Sequence, residues 1–208
     1  MFRKILKGFL WTGAAVLAAY FIVVIARIPH AYNQQKTEEA VAKIHATKLT
    51  LDDVMGKNLP PDPGAEADKT IAGIDTNSNG IRDDIELAIF KEYPNSAKTR
   101  AVLLQYALAL QMEVIQPIVN TGTVTEVLRE NSRTGDCIAD MLVPRKTPES
   151  TRNYSDIEKI NAYINFVENK QLNTAERRKA DQDFYKNLGS YSESTNTRCD
   201  IDSATLPN

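Results

Sequence analysis

The chain has 208 residues, 42% of them apolar, and a net charge of −2; this is enough for one folded domain plus a further segment and too apolar for disorder throughout. Arg3, Lys4, Lys7 and Arg27 flank the first apolar run, and with these four set aside from the 25 basic residues the remainder carries about six more acidic than basic side chains. An acidic body argues against non-specific nucleic-acid binding, which needs Lys and Arg to neutralise phosphates, and is compatible with attracting cations.

The first element is the uncharged run Gly8–Ala26, dominated by Leu, Ala, Val, Ile and aromatics. At 1.5 Å per residue it spans roughly 28 Å, the thickness of the hydrocarbon core. This predicts a transmembrane signal anchor over residues 9–27. The basic segment 1–8 should stay cytoplasmic, with the body periplasmic or extracellular. A cleaved signal peptide is the competing reading, and it exports the body equally. Residues 28–56 are rich in Gln, Glu, Ala and Lys, good helix formers that predict a juxtamembrane helix. Within that span, Thr50-Leu51-Asp52-Asp53 is placed to cap a short helical turn. Residues 57–70, with three prolines and alternating charges, read as a linker. The exported domain is then expected over residues 71–208.

Oxygen-bearing side chains follow at every second position, Asp75, Asn77 and Asn79, then Gly80, Asp83 and Glu86. Ca²⁺ takes six to eight oxygen ligands, and a twelve-residue loop supplies them from positions 1, 3, 5, 7 (a carbonyl), 9 and 12, with Gly at 6. Here these are Asp75, Asn77, Asn79, the Ile81 carbonyl, Asp83 and Glu86. On these residues the loop resembles the calcium loops of thrombospondin type 3 repeats and dockerins, and more distantly the EF-hand. The resemblance covers about a dozen residues. It implies one Ca²⁺, held with the weak affinity of extracellular modules, around 10⁻⁴ to 10⁻³ M. Two departures from an EF-hand stand out: position 8 is Arg82 where an apolar residue is usual, and the prolines before the loop exclude a long entering helix. There is no second copy of the loop, so no paired calcium switch is implied. The alternative is an Asx-turn followed by a helix cap, with no metal.

The helix after the loop should stop at Pro94. Residues 96–119 follow as a helix with Leu103, Ala107, Leu110, Val114 and Ile118 on one face. Such an all-round apolar helix is usually buried centrally. Thr123-Val124-Thr125-Glu126 predicts the start of a short helix, and residues 136–143 a further one. Capping-box signatures at Ser155–Glu158 and Asn173–Glu176 begin two more, carrying Ile157, Ile160, Ile164 and Val167 on the first and Ala180, Phe184 and Leu188 on the second. The fold class is therefore all-α: an N-terminal transmembrane helix, then a small helical domain with one EF-hand-like calcium loop. Cys137 and Cys199, the only cysteines, should form a disulfide in an exported body and tether an otherwise irregular tail. The only histidines, His30 and His45, lie before the predicted domain, so triad and zinc-hydrolase chemistry is not expected in it. The expected role is a binding or scaffold module, membrane-bound through its first helix and recognising a protein partner, and not an enzyme. A metal-independent helical envelope protein is the alternative.

Overall fold

The structure is a computed structural model that describes residues 2–147, 149–192 and 197–207, including their side chains except those of residues 2–10 and 30. Arg3, Lys4, Lys7 and His30, used above, thus lie outside the described side chains. All regular structure among the described residues is helical. The chain divides into two compact units, one up to Ala40 and one from Val41 onward.

The first unit is the greater part of helix α1 (Phe2–Ala46). Among the described residues this is the one helix long and apolar enough to cross a membrane, and none of its apolar stretch is buried against protein. Trp11, Tyr20, Phe21 and Ile25 are all more than half exposed, an arrangement that water would penalise by roughly 25 cal/mol per Å² of apolar surface. Pro29 lies inside the helix, where its missing N–H takes one rung from the ladder without ending it. The juxtamembrane segment is therefore not a separate helix over 28–56: α1 continues to Ala46, and its last turn belongs to the folded body.

The second unit begins with that last turn. Ile44 is 1% exposed and sits in the core. Helix α2 (Leu51–Met55) starts at the cap expected from sequence, which proves to be a capping box: Thr50 Oγ1 accepts from Asp53 N, and Asp53 Oδ2 accepts from Thr50 N. The stretch 57–70 is not a free linker. Its one turn of 3₁₀ helix, Gly64–Asp68, is held by the fully buried guanidinium of Arg177. Arg177 donates to the carbonyls of Ala67, Thr70 and Ile71 and to the Asp68 carboxylate. Asn173 and Arg177 hold that carboxyl below its usual range. The folded body accordingly starts at Val41 rather than at residue 71.

Helices α3 (Asp83–Glu92), α4 (Ala97–Ile115), α5 (Thr121–Leu142), α6 (Tyr154–Gln171) and α7 (Ala175–Tyr185) make up the rest. Helix α4 is the hub and is buried continuously from Ala101 to Val114, covered by α2, α3, α5, α6 and α7. It stops at Ile115 because Pro117 forces Gln116 out of the helical region, to ψ 132°. Ile118 therefore lies beyond the helix and is 43% exposed, not on the buried stripe. Helix α5 is a single helix, not two. It is capped by Asn120 and runs through Gly135, whose helix penalty of about 1 kcal/mol is outweighed by burial of Val124, Val127, Cys137 and Ile138 around it. The Cys137–Cys199 disulfide is present, with Cα atoms 5.2 Å apart. Arg133 anchors the tail beside it, donating to the carbonyls of Thr197 and Arg198 and pairing with Asp200 at 2.8 Å.

Candidate metal centre at the loop before α3

The twelve residues Asp75–Glu86 wind through a left-handed turn, with φ of +57° at Ser78 and +85° at Gly80. Gly80 is required for a second reason: a Cβ there would lie 2.6 Å from Leu108 Cδ1 on α4. The loop is closed at its ends by backbone, the Asp83 N–H donating to the Ile74 carbonyl at 2.9 Å. Ile81 and Ile85 are buried below it and seat it on the core. Arg82, at the position where an apolar residue was expected, is itself fully buried. Its guanidinium pairs with Asp84 at 2.6 Å and donates to the carbonyl of Gln171, the last residue of α6. A cation on a helix C-terminus satisfies an orphan carbonyl and the dipole together.

The six positions singled out from sequence divide into groups. Asp75 Oδ1 accepts from Asn79 N at 3.2 Å and Oδ2 from Gly80 N at 2.9 Å. Asn77 and Asn79 each donate a side-chain N–H to Glu86 Oε2, both at 3.1 Å. These two amides and Glu86 thus converge on one point, beside Asp75. Ile81 places its N–H on Asn79 Oδ1. Asp83 stands apart. It is wholly buried, and both its oxygens are taken by Thr76, from the backbone N–H at 3.0 Å and the hydroxyl at 2.6 Å.

Glu86 is the electrostatically anomalous group. It is 1% exposed, and burial pushes its carboxyl up to about 7 against the pull of Asn77 and Asn79, with Asp53 and Asp83 pushing it further. The two amide N–H donors occupy the place around Glu86 that a cation would take. Turning each amide about its terminal bond would present oxygens instead, since its O and N are related by that rotation. The donor set is all oxygen, which suits a hard cation such as Ca²⁺ and not a thiophilic metal. Among the described residues no three His, Cys, Asp or Glu side chains stand together as a metal-binding group, so any cation here depends on the two asparagines.

A cavity of about 630 Å³ opens on one side of the loop. Its lining includes Asp75, Asn77 and Asn79 from the loop, Lys43 and Lys48, Leu108 from α4, and Asp53 from α2. Asp53 was legible in the sequence as a helix cap; its position beside the loop, 22 residues earlier in the chain, was not.

No family model matches the chain, and neither does any curated protein or solved structure. The site's function therefore rests on its own geometry.

Proposed function

We propose that this is a membrane-anchored, exported helical protein whose loop Asp75–Glu86 holds one structural Ca²⁺, and that it acts as a binding or scaffold module. The observation that carries the calcium reading is the convergence of Asn77, Asn79 and the buried Glu86 on one point beside Asp75. In this reading Asp75, Asn77, Asn79 and Glu86 supply side-chain oxygens and Ile81 its carbonyl, while Asp83 closes the loop on Thr76. The ion would supply charge neutralisation to a carboxylate that is otherwise buried among acids. The apolar part of α1 anchors the chain, and the basic residues before it favour a cytoplasmic N-terminus with the body periplasmic or extracellular. Binding rather than turnover fits a body whose one described histidine, His45, faces Glu126 and Glu130 on α5.

A second reading has its own support. Asp75, Asp83 and Asn79 already bond backbone N–H groups of the loop, so the turn is closed by its own side chains. The two readings separate in one experiment, a thermal melt of the full chain in detergent micelles with millimolar Ca²⁺, with Mg²⁺ and with chelator. Calcium well above its Kd should stabilise by about 1 to 3 kcal/mol, or several degrees, and Mg²⁺ should do little. Glu86→Gln should weaken the calcium response at least about tenfold, since it removes the one carboxylate on which both amides converge. An identical melt in calcium and chelator would leave the metal-free turn as the only reading.

A further inference from the structure

His45, in the last turn of α1, stands between two carboxylates of α5. Its Nε2 lies 3.3 Å from Glu126 Oε2, and its Nδ1 lies 3.4 Å from Glu130 Oε1. Nδ1 and that Glu130 oxygen are both buried, and neither has a hydrogen-bond partner among the described residues. The other oxygen of each carboxylate is already taken. Arg129 holds Glu126 Oε1, while Lys48 and Arg133 hold Glu130 Oε2. Asp200 of the tail completes the patch, 3.8 Å from Lys48 and 2.8 Å from Arg133. Burial pushes the Glu130 carboxyl up, but Lys48 and Arg133 outweigh it and hold the group below its usual range, so Glu130 brings no proton of its own. A neutral imidazole has one N–H and one bare lone pair. Between two carboxylates it must set that lone pair against an acceptor on one side. Only the imidazolium donates at both edges.

We propose that His45 is a proton-operated latch that fastens the last turn of α1 to α5. With both ring nitrogens protonated it bridges Glu126 and Glu130. When the ring gives up one proton, a lone pair meets a carboxylate and the bridge opens. The turn is then held by Lys48 on Glu130 and by the Leu49 N–H on Asp200, at 3.1 Å. Of the side-chain types in this patch, only imidazole ordinarily changes charge between pH 5 and pH 8. The ring is 37% exposed, so protons reach it without unfolding. The latch tightens in acid and slackens in alkali, where α1 enters the folded body. It does not depend on the calcium reading.

The test is amide hydrogen exchange of the full chain in micelles with chelator, at pH 5 and pH 8, corrected for the intrinsic rate of each amide. In the wild type the amides of residues 42–49 should be about three- to tenfold more protected at pH 5, the size of two partly exposed ion pairs. His45→Gln keeps a side chain that can reach one carboxylate but cannot take up a proton. It should lose this difference at residues 42–49 while residues 101–114 of α4 exchange as in the wild type. Nitrogen NMR of the His45 ring gives a second reading, with both ring nitrogens protonated at pH 5 and one at pH 8. Equal protection of residues 42–49 at the two pH values overturns the latch. So does a wild-type difference that persists in His45→Gln, or a ring that carries only one proton at pH 5.

Discussion

Glu113 shows how much one side chain decides. It sits on α4, 3% exposed, with Oε1 accepting from Asn131 and Oε2 lacking a partner at hydrogen-bonding distance. Asp181 and Tyr185 of α7 face it. Burial pushes its carboxyl up to about 8, and the nearby charge of Asp181 adds to this. The folded state therefore keeps a proton that the unfolded chain releases above its ordinary range. Stability is greatest below the unfolded value of 4.5 and is lost as pH rises towards 8. For one proton the slope approaches ~1.4 kcal/mol per pH unit. Denaturant titrations in chelator should accordingly show stability falling from pH 5 to pH 8. Glu86, raised to about 7, contributes with the same sign. Glu113→Gln separates the two: it should flatten the profile and leave the variant more stable than wild type at pH 8. A profile that keeps its full slope in Glu113→Gln would assign the effect elsewhere. Tyr106, whose hydroxyl donates to Glu168 at 2.7 Å, is held protonated throughout this range by burial.

Among the elements, the loop and its neighbours are sensitive to single atoms. Gly80→Ala combines a left-handed backbone with a Cβ driven into Leu108. We expect a loss of about 1 to 3 kcal/mol, and partial recovery in the double variant with Leu108→Ala, which vacates the space but leaves the backbone strain. Full recovery would make the contact the whole effect. No recovery would make it all backbone. What the sequence disclosed at this scale follows from range. The capping box at Thr50, the buried face of α4 and the twelve-residue oxygen pattern are written in neighbouring residues, so they could be read. The merger of α5 could not, because Gly135 and the local caps argue for a break and only packing from α4 overrides them. The clamp of Arg177 on Ala67, Thr70 and Ile71 was equally invisible. It joins residues more than a hundred positions apart, and a proline-rich stretch looks the same whether or not a distant arginine satisfies its carbonyls. Asp53 belongs to this class: its cap was local and its place beside the loop was not.

For the whole molecule, the division at Val41 has a direct consequence. Among the described residues, the core of the second unit is built from Ile44 onward. A chain beginning at Val41 should therefore fold unaided, and its melting temperature should match that of the full chain in micelles within a few degrees. A shorter chain that melts far lower would show that the first forty residues stabilise the body. The disulfide closes a loop between residues 62 apart, worth about 4 kcal/mol in the chain-entropy account. It also fixes where the two ends of the body lie. Leu49 N–H donates to Asp200 at 3.1 Å, and Lys48 pairs with Glu130 at 2.9 Å. Arg133 holds Asp200 and Glu130 together. A tension applied between residue 48 and residue 200 would be borne in shear across this one ionic patch and the sulfur bridge behind it. Gln105 of α4 would share that load, donating to the Arg198 carbonyl and accepting from the Asp200 N–H, both at 2.9 Å.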